Sequence, residues 1–245
     1  MLRLDEDRSN TFLAGMSDAA KQRWQPHLQL VELQRGQALI HAGCKLEYVH
    51  FPIQAVVAMY AITDDGACSE LALVGHEGMV GVCGFMDSKD NFNNAMVVVG
   101  GPSWRMSAAR FRAEVMGEPA LMLAMLRYMQ ALITQVAQTA VCNRHHSIDQ
   151  ALCRWLLMSQ DRVRCEPLQL THELIASLMG VRREGVTEAA ARLQRSGLIQ
   201  YTRGRITVSD RTGLERAACE CYGRVRAEHQ RLLGWPDALP AHSLI

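Results

Sequence analysis

The side chains best suited to chemistry are arginines and small polar residues grouped near the C-terminal third of the chain. Arg182, Arg183, Glu184 and Thr187 open the stretch RREGVTEAAARLQRSG, which has the periodicity of an amphipathic helix. An arginine fork matches the two acceptors of guanine, glutamate accepts from the cytosine amino group, and a helix N-terminus favours phosphate. This first turn therefore has the chemistry to contact base edges, although a merely solvated first turn is the alternative.

A second, shorter helix is predicted immediately before it. Thr171 caps this helix and Gly180 ends it, where a turn needs a residue that tolerates positive φ. Ala176 is small enough to let two helices cross at a steep angle. Apolar residues that would pin the two helices together are Ile175, Met179, Val181, Val186 and Ala189. The spacing predicts a helix-turn-helix, with the recognition helix at about residues 183–196.

The stretch LIQYTRGRITV follows, with two alternating strands around Arg203-Gly204. A β-hairpin directly after a recognition helix is a wing, and Thr202, Arg203 and Arg205 would lie against phosphates without reading sequence. An ordinary hairpin with exposed arginines is the alternative. The predicted DNA-contacting residues are Thr171, Arg182, Arg183, Glu184, Thr187, Arg203 and Arg205. Glu188 opposes DNA electrostatically, so we expect it to orient an arginine.

The distribution of charge along the chain is compatible with nucleic-acid binding but does not by itself predict it. The whole chain of 245 residues carries a formal net charge of +1, yet residues 147–212 carry ten arginines, no lysine and seven acidic side chains. Arginine suits phosphate and guanine better than lysine does.

From about residue 28 to 106 the pattern is one of short strands separated by glycine turns. VVAMYAI (56–62) and CSELALV (68–74) flank Asp64-Asp65-Gly66, a strong hairpin signal, and AMVVVGG (95–101) and SWRM (103–106) continue it. This predicts a compact β-barrel or roll.

A helix is predicted for residues 119–146, which contain no internal proline or glycine. Residues at alternating spacings of three and four form an apolar seam typical of helix pairing: Met122, Met125, Met129, Leu132, Val136 and Thr139. A second stripe, Leu121, Ala124, Tyr128 and Ala131, would cover the roll. We expect the seam to form a homodimer interface, with a single buried helix inside a monomer as the alternative.

Other features narrow the class of protein. The start MLRLDEDRSN is not a signal peptide, and no run of about 18 apolar residues indicates a membrane span, so we expect a cytoplasmic protein. Eight scattered cysteines without a CxxC motif predict reduced thiols. No nucleophile–base pair, P-loop or hydrolase motif is present, so we expect no catalytic residue and no cofactor.

Residues 213–245 are expected to form one helix and a frayed tail containing Pro236 and Pro240. Cys219 and Cys221 with His229 do not predict a metal site, because residues two apart on a helix point about 200° apart. His145-His146, where the long helix meets the predicted DNA-binding part, favours a polar hinge, with a pH or metal switch as the alternative.

The order of roll, long helix and winged helix resembles the Crp/Fnr family of bacterial transcription regulators across about residues 25–212. RGQALIHAGCKLEYVHFPIQAVVAMY is similar to the family's opening strands, and Arg183-Glu184 matches the Arg-Glu pair of its recognition helix. The resemblance implies a homodimer on duplex DNA with a two-fold operator, an effector in the roll, and contact with RNA polymerase.

Two departures from the family's patterns concern the effector. Its cyclic-nucleotide binders use Gly-Glu and then Arg-Ser, whereas Val82 and Asn93-Asn94 stand in those places here, so we expect no cyclic AMP binding. The effector pocket assigned by the resemblance comprises Val82, Cys83, Asn93 and Asn94. The iron–sulfur members carry an N-terminal cysteine cluster, but the first cysteine here is Cys44. Cys68 and Cys83 are expected to be buried structural thiols, with oxidant sensing as the alternative.

We therefore predict an α+β fold: residues 1–118 a cyclic-nucleotide-binding-like antiparallel β-roll or jelly roll, 119–146 a dimerisation helix, 147–212 a winged helix, and 213–245 a helical extension. The predicted function is DNA-binding transcription regulation. A ligand- or protein-binding module whose winged helix serves protein contacts is the alternative. A cupin-like enzyme would need clustered ligands that His41, His50 and His76 do not supply.

Overall fold

The structure is a computed structural model that describes residues 10–86, 91–163 and 168–234. The predicted frayed tail, with Pro236 and Pro240, lies outside these residues. Two short helices that the sequence patterns did not predict come first: α1 (Thr11–Ala14) and α2 (Asp18–Trp24), followed by a 3-10 turn at Gln25–His27. The Asn10 side chain caps α1 and donates to the carbonyls of Pro52 and Gly78, which fastens this segment to the roll.

The predicted roll is present as two antiparallel sheets. Its strands are β1 (Gln29–Leu33), β2 (Ala38–Ile40), β3 (Tyr48–Pro52), β4 (Val56–Ile62), β5 (Cys68–Val74), β6 (Asn94–Val99) and β7 (Gly101–Ser107). Among the described residues one sheet has the order β1-β7-β3 and the other β2-β6-β4-β5. β4 and β5 have the predicted bounds, because alternating apolar residues end at a turn whose Gly66 takes φ 86°.

Helix α3 (Ala108–Gly117) leads into the long helix α4 (Pro119–His145), as predicted for residues 119–146. α4 lies along the roll, where the Tyr128 hydroxyl donates to the Met79 carbonyl at 2.7 Å and the Gln135 amide donates to the Leu73 carbonyl at 3.0 Å. The stripe predicted to cover the roll does so, with Leu121, Tyr128 and Ala131 buried.

The structure buries half of the predicted dimer seam within the chain. Met125, Leu132 and Thr139 are buried within this chain, so these three face the protein interior, whereas Met122, Met129 and Val136 are half-buried. The physical reason is that Gln135 and Thr139 have partners on neighbouring elements, which turns this face inward.

The most exposed large apolar side chains of α4 lie about a third of a turn away around the helix, at Leu123, Leu126 and Ile133. By length and composition alone, α4 is apolar enough to cross a membrane, since its most apolar 18-residue stretch has a mean hydropathy of 1.3. One-third of that stretch is buried inside the protein.

The winged helix comprises helices α5 (Ile148–Arg162), α6 (His172–Met179) and α7 (Arg183–Arg195) with a three-stranded sheet. That sheet has the order β8-β10-β9, from β8 (Leu168–Gln169), β9 (Ile199–Thr202) and β10 (Arg205–Val208). Ser147 and Gln150 form a capping box that starts α5.

Buried polar contacts join α5 to the roll. The Arg162 guanidinium lies 2.8 Å from the Glu77 carboxylate and donates to the carbonyl of Leu73, and the Trp155 indole donates to Glu70 at 2.7 Å. Burial alone would raise the pKa of Glu77, but the charge of Arg162, together with smaller electrostatic contributions and a backbone hydrogen bond, holds that pKa below its usual range.

The C-terminal extension differs from the single predicted helix. It forms α8 (Arg211–Ala217) and α9 (Glu220–Leu233), separated by Ala218 and Cys219 in extended conformation. Asp210 caps α8, and the chain then bends so that α9 packs along α4. Cys219 therefore precedes α9 instead of lying within it, and the helical geometry used against a metal site does not apply.

Candidate nucleic-acid interface

The recognition helix α7 has one buried and one exposed face. Its buried face packs on α5 and α6 through Val186, Ala189, Ala190 and Leu193. The predicted turn before it is present, since Gly180 ends α6 with φ 65° and Ala176 is buried at the crossing. The four residues predicted to meet base edges, Arg182, Arg183, Glu184 and Thr187, are all exposed at the start of α7.

The Arg183 side chain is 66% exposed and lies 3.7 Å from the carboxylate of Glu173, which is itself exposed. An ion pair between two exposed side chains contributes little, about 0–1 kcal/mol. Arg183 can therefore leave Glu173 for a nucleic-acid partner at small cost.

His172 and Tyr201 connect the recognition helix to the wing, and sequence reasoning missed both. The His172 Nδ1 atom lies 3.1 Å from the Thr187 hydroxyl, and its ring stacks on Tyr201 with centroids 4.0 Å apart. Burial and the charge of Arg183 lower the pKa of His172, so its ring is neutral at neutral pH. No local pattern marks the pair, because the two residues meet only after the wing folds back.

The wing is the predicted hairpin, closed by the two residues Arg203 and Gly204. Both have positive φ, 49° and 78°, as a type I′ turn requires. Thr202 pairs with Arg205 across the turn, and both side chains are exposed with that of Arg203. The Gln194 side chain accepts from the Tyr201 backbone at 2.8 Å and holds the wing against α7. Thr171 is exposed beside it and caps α6.

Arg192 on α7 is not directed at a ligand. Its guanidinium makes two contacts with Asp149 at the start of α5, of 2.8 and 2.7 Å, and Glu188 lies 3.8 Å away. Glu188 thus lies next to an arginine, as its predicted orienting role requires. The pair with Asp149 ties the recognition helix to α5.

The residues assigned to an effector pocket occupy two places in the roll. Val82 and Cys83 begin a 3-10 turn (Val82–Phe85) after Gly81, and the Cys83 thiol donates to the Asn91 side chain at 2.8 Å. Asn94 begins β6, and its side-chain oxygen accepts from the Ala42 backbone, while Asn93 precedes it in a bend. Burial raises the pKa of Cys83 and of Cys68, which favours thiols over reactive thiolates.

Comparison with known proteins places the chain among regulators. Residues 150–217 match the Crp-like helix-turn-helix domain. The global nitrogen regulator of Synechococcus elongatus is 23% identical over 199 residues, which are 77% of this chain and 89% of that protein.

Solved structures show the same fold. A transcriptional regulator of the Crp/Fnr family from Eubacterium rectale aligns with a TM-score of 0.64 at 20% identity, covering 83% of this chain and 95% of the other. FixK2 from Bradyrhizobium japonicum aligns with a TM-score of 0.65 at 12% identity, covering 78% and 98%.

A β-roll, a long helix and a winged helix with an arginine-rich recognition helix define a transcription regulator with a helix-turn-helix DNA-binding domain. The matched domain and these relatives make the chain similar to regulators of the Crp/Fnr family.

Proposed function

We propose that this chain regulates transcription as a homodimer that inserts α7 into the major groove of a two-fold DNA operator. The observation that carries the proposal is the single surface formed by α7 and the wing. His172 bridges Thr187 and Tyr201, so the first turn of α7 and the exposed arginines of the wing are held together. Arg183 and Glu184 would read bases, and Arg203 and Arg205 would contact phosphates.

The dimer interface in this proposal is the exposed seam of α4, which consists of Leu123, Leu126, Gln130, Ile133 and Ala137. These positions alternate by three and four residues, the spacing of a helix pair. Leu123, Leu126 and Ile133 are each at least half exposed, which a partner helix would relieve.

The remaining parts have assigned roles in the same proposal. Residues 1–118 form the sensor, 119–146 the dimerisation helix, 147–212 the DNA-binding part and 213–245 an extension. An effector other than cyclic AMP would bind near Val82, Cys83, Asn93 and Asn94, and the dimer would contact RNA polymerase in the cytoplasm. A structural relative from Xanthomonas campestris is described as responsive to cyclic di-GMP, so ligands differ among proteins of this fold.

The DNA proposal is tested by selecting bound sequences from a random duplex library with the full chain. We expect a palindrome with half-sites about one helical turn apart. Arg183→Ala should lose about 1–3 kcal/mol of binding free energy and relax one position of each half-site. Arg35→Ala, which removes an exposed arginine of the roll, is the matched control and should bind as the wild type does. No enrichment at low salt, with or without cell extract, would instead favour a winged helix that contacts protein.

The dimer is tested separately by sedimentation of Leu126→Glu. A charge placed in an apolar seam costs desolvation in both copies, so we expect this variant to be monomeric while the wild type is dimeric. Met116→Glu changes an equally exposed apolar residue on α3 and should remain dimeric. If Leu126→Glu remains dimeric, the interface lies elsewhere on the chain. If the wild type sediments as a monomer or partitions into lipid vesicles, the homodimer proposal is rejected.

A further inference from the structure

Four side chains of metal-binding type meet where the long helix joins the DNA-binding part. Cys142 lies in the last turn of α4, His146 caps the end of that helix, and Cys219 and Cys221 lie at the start of α9. Their ligand atoms all lie within 4.8 Å of one another. All three cysteines are buried, and the His146 side chain is 13% exposed.

Local backbone geometry explains why the four converge. Cys142 lies in the last turn of α4 and His146 is the C-cap of that helix, whose backbone N–H donates to the Cys142 carbonyl, so the two residues lie one turn apart. Cys219 is the N-cap of α9, with φ −76° and ψ 162°, so its side chain does not follow the helical direction of Cys221. The break between α8 and α9 therefore brings two cysteines to one point.

The distances suit a tetrahedral site. Zinc binds thiolate at about 2.3 Å and imidazole nitrogen at about 2.0–2.1 Å, so ligand atoms around it lie about 3.5–3.8 Å apart. The Cys142 and Cys219 sulfurs are 3.5 Å apart, and the Cys221 sulfur is 3.6 Å from the His146 Nδ1 atom. Three thiolates and an imidazole are a zinc ligand set, and four protein ligands make a closed, structural site.

The surroundings show a second, independent sign of a metal centre. The other ring nitrogen of His146, Nε2, lies 3.2 Å from the Glu220 carboxylate, an arrangement that orients metal-bound histidines. Arg154 is buried and acts electrostatically on Cys142 and Cys221, as it does on the buried Glu70. Its charge would offset part of the net negative charge of a zinc ion bound by three thiolates.

We propose that Cys142, His146, Cys219 and Cys221 bind one zinc ion. The ion fastens the C-terminal helix α9 to the end of α4, directly before Ser147 caps α5. Because Asp149 of α5 holds Arg192 of α7, the ion also fixes the joint from which the recognition helix is positioned. The site shares no residue with the DNA-contacting face, so the two proposals can fail independently.

The test is metal analysis of the full chain purified under reducing conditions. We expect one zinc per chain, and after exchange one cobalt(II) with the intense visible absorption of a tetrahedral thiolate site. Cys142→Ser and His146→Gln should lose stoichiometric metal. Glu220→Gln should keep the metal with about 10–100-fold weaker affinity, since it changes only the orienting carboxylate. The exposed Cys44→Ser is the matched control and should keep one zinc.

Folding is monitored in parallel, so that loss of metal is not confused with loss of structure. A chelator should lower the unfolding temperature of the wild type and of Cys44→Ser, but should leave that of His146→Gln unchanged. Three outcomes would overturn the proposal: no zinc or cobalt in a folded wild type, metal retained by both Cys142→Ser and His146→Gln, or a Cys142–Cys219 disulfide in the reduced preparation. Iron with acid-labile sulfide in place of zinc would also overturn it.

Discussion

At the scale of single residues, Arg203 has a left-handed backbone conformation, which residues with a side chain rarely adopt. It takes φ 49° in the wing turn, a region that costs a side-chain-bearing residue about 1–2 kcal/mol and that asparagine tolerates better. A residue chosen for folding alone would be asparagine or glycine. The arginine therefore places a positive charge at the tip of the wing at a cost in backbone strain.

Arg203→Asn should accordingly weaken DNA binding without lowering the stability of the fold. We expect the free energy of unfolding to be unchanged or higher by up to about 1 kcal/mol. DNA affinity should fall for all sequences alike, and the slope of its logarithm against log salt should decrease by about 0.9. Urea unfolding and salt-dependent fluorescence anisotropy measure the two. An unchanged salt slope would mean that Arg203 makes no phosphate contact.

At the scale of elements, the seat of α4 on the roll depends on a close approach at Gly78. A Cβ atom there would lie 2.3 Å from the Tyr128 ring, and Tyr128 is fixed by its bond to the Met79 carbonyl. Because Gly78 is not among the glycines with positive φ, substitution tests packing alone.

Gly78→Ala should lower the free energy of unfolding by about 1–3 kcal/mol or more, since the ring has nowhere to move. Gly117→Ala is the matched control at the end of α3, where nothing lies within 4 Å. It should be neutral or gain up to about 1 kcal/mol from helix propensity. Thermal unfolding of both variants checks this. If the two variants are equally stable, the close contact at Gly78 does not determine how α4 packs on the roll.

The same elements show what sequence alone could predict. The bounds of β4, β5 and α4 followed from local patterns, as did the turn at Gly180. Burial of Met125, Leu132 and Thr139 within the chain was not foreseen, because Gln135 and Thr139, polar in the sequence, find partners at Leu73 and Arg154. The cysteine cluster and the bridge from His172 to Tyr201 likewise depend on residues distant in the chain, which periodicity does not report.

At the scale of the whole molecule, buried ionisable groups couple the parts to one another and make stability depend on pH. His50 is buried between strands of the roll, and burial together with the charge of Arg105 lowers its pKa to about 4. His229 on α9 is buried too, and burial and the charge of Arg162 lower its pKa to about 4. Both rings are therefore neutral in the folded protein at neutral pH.

Acidification should destabilise the protein in a window set by these histidines. Between about pH 6.5 and pH 4 these two histidines are protonated in the unfolded chain but remain neutral in the folded protein. The free energy of unfolding therefore falls as pH falls. Full loss amounts to about 3 kcal/mol for each ring. The pKa of Glu77 is lowered, so this carboxyl reduces the free energy of unfolding only below its ordinary pKa of about 4.5. Burial raises the pKa of Glu70, so the contribution of that carboxyl to stability increases as pH falls.

Comparison with a non-titrating variant separates the histidine contribution from those of the carboxyls. His50→Gln should be less stable than the wild type at pH 7.5, and the difference should shrink towards pH 5, because glutamine has no proton to gain. His41→Gln changes an exposed histidine and should follow the wild-type curve at every pH. Urea unfolding of the three proteins at a series of pH values measures this. A constant difference between His50→Gln and the wild type would show that His50 titrates alike in the folded and unfolded states, and that its burial in the roll carries no electrostatic penalty.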